Sequence, residues 1–388
     1  MNELFAKLPD LEPHINLSNS TLNHFYTTLN DVKDKLNHGN YRNACESLDF
    51  LNEFPHHLRI PTSDFLDPEI EHHILHSGGF YQQFHVIVQE REFTIYLYFP
   101  ASDNSQRAQI IDYFEDCINK IHLWLHFIVP NIKGDCSKKS TFYLLLTHFT
   151  KVLPSHNSPI TYKHVNSAFT TSCSPETSIY IFRQEEWFKV LLHECFHCFG
   201  FDFSHYNNFE VEDKIKKVFK VDNDLGIRVY EAYVELWAEV LNIIFVSFLK
   251  TKDKKSYLFL VEHLLNKELS FTLFQCNKIL NHLKFSYNQI NNAKCDSVVY
   301  KETCNLTAYY FLKAVLFADL RKFESWCKKH NAGLFVFKKE NMLTFVDFII
   351  EHSKTTNLMK SMKKLDLFYR RVRLPKSAKN TMKMTIVN

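Results

Sequence analysis

Seven glycines in 388 residues leave no material for a glycine-rich phosphate loop, and none is present. Proline is sparse as well, with 11 residues, of which Pro55 and Pro61 mark a linker. No run of about 18 uncharged apolar residues occurs, so a transmembrane helix is not expected. The opening stretch, MNELFAKLPDLEPHINLS, has acids and prolines where a secretory leader needs a basic start and an apolar core. An excess of one charge is also missing. A formal net charge of +3 and a pI near 8.2 give no reason to expect a nucleic-acid-coating protein. The cysteines at 45, 117, 136, 173, 195, 198, 276, 295, 304 and 327 are scattered, and Cys195 and Cys198 have no second pair at finger spacing. Without a secretory context, reduced thiols in a cytosolic setting are expected.

What is abundant is aromatic: 36 Phe and 18 Tyr, in a chain whose 45% hydrophobic and 23% charged residues are globular composition. Phe, Tyr, Ile, Asn and Lys share AT-rich codons, which points to an AT-rich genome such as that of a large virus or a parasite. Four regions are expected. Residues 1–75 read as a helical preface, with one helix after Ser18 and Ser20 and a second over Tyr41 to Phe54. Residues 76–207 read as an α/β lobe. In it, Phe84 to Val88 and Phe93 to Phe99 make a hairpin, and Ser105 to Phe127 is a helix. Thr141–Phe149 and Ser178–Phe182 are strands, and Gln184 to Phe199 is a helix capped by Gly200. Residues 150–177 read as irregular, with the loop Asn166 to Thr170 read either as cleft lining or as a surface loop. Residues 208–370 read as an α-helical lobe, and 371–388 as a mobile basic tail.

The chemistry concentrates in WFKVLLHECFHCFG, where His193-Glu194-Cys195-Phe196-His197 falls on the helix before Gly200. Residues i and i+4 share a helix face, so both imidazoles can address one Zn²⁺ while Glu194 reaches a water on it. Leu191, Leu192, Phe196 and Phe199 surround the motif, and unpartnered histidines and an acid would be costly there. A metal removes that cost. Cys195 and Cys198 read as small packing residues. A third histidine of the metzincin kind is lacking: position 203 is Phe, and no Met lies between Met1 and Met342. Further on, Glu231, Glu235 and Glu239 fall four apart on an otherwise apolar helix, a row of carboxylates that calls for a cation.

HECFHCFG followed by ELWAE resembles the gluzincin-type zinc metallopeptidases. The stretch IYIFRQEEWFKVLLHECFHCFGFDFS is similar to metallopeptidase-like proteins of large DNA viruses. The likeness spans about 178–245. It implies an α+β, zincin-like mixed sheet lobe with the active-site helix, followed by the mostly α-helical lobe. It also implies His193 and His197 as zinc ligands, Glu194 as catalytic base, Glu235 as third ligand and Glu239 as the acid that orients a ligating histidine. Ala238, one turn beyond Glu235, permits close helix approach. A competing register makes Glu231 the ligand and Glu235 the outer acid.

The expected activity is hydrolysis of peptide bonds in a protein or peptide substrate, with zinc as cofactor and Glu194 as general base. Tyr230, Tyr233 and His205 are candidate oxyanion donors, and Arg183 a carboxylate partner. Nucleic-acid and membrane partners are not expected. The cytoplasm, or a host cytoplasm or virion for a viral protein, is the expected location. The rival reading is a catalytically silent zincin-fold structural or interaction protein, for example a virion component.

Overall fold

The structure is a computed structural model and describes residues 2–38, 47–56, 58–155, 158–219, 221–222, 226–291 and 300–387. The fold is α+β. Two compact units divide the chain: His24–Lys151 with Asn166–Phe201, and Met1–Asn23 with Val152–Val165 and Asp202–Asn388.

The first unit is built on strands β1 (Asp49–Leu51), β2 (Gly79–Val88), β3 (Arg91–Pro100), β4 (Lys139–Leu145), β5 (Ala168–Thr170) and β6 (Glu176–Ile181). They form a mixed sheet in the order β1-β2-β3-β4-β6-β5. The expected hairpin is β2–β3, with Val88 opposite Arg91 across a two-residue turn. Gln89 takes a φ of 56°, the left-handed conformation that glycine usually supplies at such a turn. β3 runs parallel to β4, and β4 to β6. A parallel pair needs a crossover, and helix Arg107–Ile128 makes the one from β3 to β4. β5 closes the sheet antiparallel to β6.

Side chains alternate across the sheet. Phe93, Ile95, Leu97, Phe142, Leu144, Ile179 and Ile181 are buried on one face. The other face carries a row of stacked rings in strand register. Tyr96–Tyr143, Tyr143–Tyr180 and Tyr180–Phe169 have centroids 5.1, 4.4 and 4.9 Å apart. Beside that row, Phe54, Leu58, Ile70 and Ile74 pack with Tyr81, Tyr98 and Leu145.

Three sequence expectations change in this unit. Residues 24–75, read with the preface, belong to the sheet unit. The helix expected over Tyr41 to Phe54 falls partly outside the described residues, at 39–46, and Asp49–Leu51 is β1 instead. The cause is tertiary: Phe50 pairs with Phe80 on β2, their rings 5.2 Å apart. The loop expected at Asn166 to Thr170 contains β5, which gains its strand geometry from β6.

The second unit is mostly helical, around Val229–Lys250 and Lys254–His282. The latter runs unbroken for 29 residues, with no glycine or proline in it. Thr307–Leu312 begins as a π-helix and continues as α-helix Lys313–Ala318. Helices Leu320–His330, Met342–His352 and Thr356–Arg371 follow. Val229–Lys250 is long and apolar enough to cross a membrane, and 94% of its most apolar window is buried by protein. Residues 371–388, expected as a mobile tail, contain helix Lys376–Asn380 and a packed segment in which Met382, Met384, Thr385 and Val387 are buried.

Candidate metal centre

The histidine helix, Trp187–Cys198, is buried along its whole length. Its ends are fixed within the sheet unit. At the start, Glu186 takes a left-handed φ of 61°. Its carboxylate meets Lys151 Nζ at 2.5 Å, with both side chains shut off from solvent. Burial pushes the Lys151 amine below its ordinary range, and the Glu186 carboxylate opposes that shift.

At the other end, Phe201 N donates to Phe196 O at 2.9 Å and Gly200 N to His197 O at 3.2 Å. That is the Schellman pattern, and Gly200 supplies its left-handed residue with a φ of 69°. The role expected of Gly200 is therefore the one it has. Ser137 Oγ donates to Cys198 O at 2.9 Å, which satisfies a further terminal carbonyl. Cys136 and Cys173, expected as reduced thiols, are joined in a disulfide that packs against this terminus. A Cβ at Gly200 would lie 3.0 Å from Cys136 Sγ.

Between these anchors, His193 Nε2 and His197 Nε2 stand 3.2 Å apart. Zinc–nitrogen bonds of about 2.0–2.1 Å at tetrahedral angles place two nitrogens about 3.3 Å apart. The imidazole pair therefore fits one such ion. Glu194 lies between them in sequence, and all three residues are buried. Cys195 and Cys198 behave as packing residues: burial pushes the Cys195 thiol up, and Cys198 Sγ sits 3.6 Å from Cys195 O.

The three glutamates of Val229–Lys250 are all buried, as their place on an apolar helix implied. Glu239 forms an ion pair with Lys313, both side chains enclosed. That cation, 74 residues further on, had no local signal in the sequence. Among the described residues, the group that could hold a metal ion is His193, His197 and Glu231. Its glutamate is the one named by the competing register; the first choice from sequence was Glu235.

The remaining candidates are placed as follows. Tyr233 is fully buried, donates to Phe335 O at 2.7 Å and accepts from Asn331 Nδ2 at 2.8 Å. Its only proton is thus committed inside the helical unit. Tyr230 is half-buried beside the Phe203 ring, and burial raises its pKa. His205 is exposed and lies against Tyr206. Arg183 donates to the carbonyls of Asn166 and Thr150 at 3.1 and 3.0 Å, which ties the turn before β5 to the loop after β4.

The chain matches no protein-family model, no curated protein and no solved structure.

Proposed function

We propose that this chain is a zinc-dependent peptidase, with His193, His197 and Glu231 holding the ion and Glu194 acting as general base. The observation that carries the reading is the buried imidazole pair, spaced as one tetrahedral ion requires, with an acid between the two histidines. Glu231 is preferred to Glu235 for two reasons. It belongs to the group of possible ligands, and the register that needs Glu239 beside a histidine competes with the Lys313 pair. Glu235, one turn after Glu231, then takes the outer position.

A zinc ion bound there supplies Lewis acidity toward a water and a scissile carbonyl. The other steps belong to the protein. Glu194 accepts the water proton and delivers it to the leaving amine. The apolar helix around it lowers the local dielectric and strengthens each of these interactions. At the sheet edge, β5 offers backbone groups with which an extended peptide can pair.

The test is metal content and peptide cleavage in four variants. Glu194→Gln should keep zinc and lower cleavage by about 10²–10⁴-fold, the range for a lost general base. Glu231→Ala should lose zinc, and Glu235→Ala should keep most of it. Zinc retained by the His193→Ala, His197→Ala double variant would end the proposal. Cleavage by Glu194→Gln within a few-fold of wild type would remove Glu194 as the base.

A further inference from the structure

Residues 381–387, Thr-Met-Lys-Met-Thr-Ile-Val, follow helix Lys376–Asn380 and lie in the interior of the helical unit. A buried main chain usually finds partners in a neighbouring strand or helix. Beyond one β-bridge between Val152 and Thr381, side chains provide them here. From Lys254–His282, Gln275 Nε2 donates to Lys383 O and Lys278 Nζ to Thr381 O. From Thr307–Ala318, Tyr310 Oη donates to Met382 O at 2.8 Å and Lys313 Nζ to Met384 O at 3.4 Å. From Val229–Lys250, Asn242 Nδ2 donates to Val387 O at 3.0 Å. Glu268 works in the opposite sense: its carboxylate accepts from Ile386 N at 3.1 Å and from Thr385 Oγ1 at 2.7 Å.

The six side chains on these helices are themselves nearly inaccessible, none more than 2% exposed. Without the segment, two lysines, a carboxylate, two amides and a phenol would lose main-chain partners in a low-dielectric interior, at a substantial cost to each. The helices are therefore arranged around a peptide backbone. Main-chain contacts of this kind do not depend on side-chain identity, with one exception: the bond between Glu268 and Thr385 requires a hydroxyl donor.

We propose that residues 381–387 are an intramolecular ligand, held by a peptide-binding site on three helices that reads their main chain and selects a hydroxyl residue at 385. The site binds by contact and not through the covalent link at 372–375. A separate peptide of the same sequence is its ligand class. This inference is independent of the metal reading, since none of its residues is assigned to the ion.

The test uses the full chain with a protease recognition sequence inserted between Val372 and Arg373. After cutting, the fragment from Arg373 onward should co-elute with the body of the protein at low micromolar concentration. A labelled synthetic peptide spanning 373–388 should exchange into the nicked chain saturably. The same peptide carrying Thr385→Val should bind about ten-fold more weakly or worse, the loss typical of a hydrogen bond to a charged group. Glu268→Ala should weaken the natural peptide and erase its preference over the Thr385→Val peptide. Release of the fragment on cutting, unfolding of the nicked chain, or equal binding of the two peptides would each overturn the proposal.

Discussion

Replacing Lys313 with methionine should destabilise the protein by about 3–5 kcal/mol, the usual effect of stripping a buried charge of its partner. Lys313 and Glu239 have side-chain exposures of 1% and 0%, so water cannot take over the role of either. Lys313→Met leaves the Glu239 carboxylate in the interior without its ammonium, and Glu239→Leu leaves the ammonium without its carboxylate. The double variant removes both charges and keeps apolar volume, so it should lie within about 1–2 kcal/mol of wild type. A double-mutant cycle from urea melts followed by far-ultraviolet circular dichroism measures the difference. The coupling should exceed about 2 kcal/mol, in the range seen for directly contacting partners. A coupling near zero would refute the idea that these two groups balance each other. Zinc content of the folded double variant adds a second readout. Retention agrees with Glu231 as ligand and Glu235 beyond it, whereas loss would return Glu239 to the metal's surroundings.

Two further outcomes are expected. Gly200→Ala should lower stability by about 1–2 kcal/mol, because alanine is strained at a φ of 69° and its Cβ would press on Cys136 Sγ; an unchanged melting temperature would mean that the helix end tolerates another geometry. Lys278, fully buried, has its pKa pushed down by burial from 10.5 to about 7. The unfolded chain thus binds the proton more tightly, and the stability associated with Lys278 is full above about pH 10.5 and is lost as pH falls toward 7. The stability of Lys278→Met relative to wild type should therefore be highest near pH 7 and decline toward pH 10.5. A difference that stays flat across that window in parallel urea melts would show that Lys278 titrates normally.

Local patterns made much of the sheet unit legible. Alternation in Phe84 to Val88 and Phe93 to Phe99 marked β2 and β3, and Gly200 marked the end of the histidine helix. The two histidines could be read as neighbours because a helix fixes the relation of i to i+4. Contacts distant in sequence were not legible. β1 and β5 have three residues each, too few to show a period, and both depend on a neighbouring strand. Lys313 reaches Glu239 only through packing of separate helices. The burial of Thr381–Val387 was not legible either, because its partners lie on helices 71 to 145 residues earlier in the chain.

The ring ladder on the sheet has an optical consequence. Tyr143 and Tyr180 are nearly coplanar in orientation, with 3° between their ring planes and 4.4 Å between centroids. Rings stacked that closely couple electronically, so unfolding the sheet should change the near-ultraviolet absorbance of the pair. That coupling needs β4 and β6 in their native register, because a slip of one residue would turn one ring to the opposite face. The sheet thus carries an intrinsic chromophore whose signal reports its assembly without any added label.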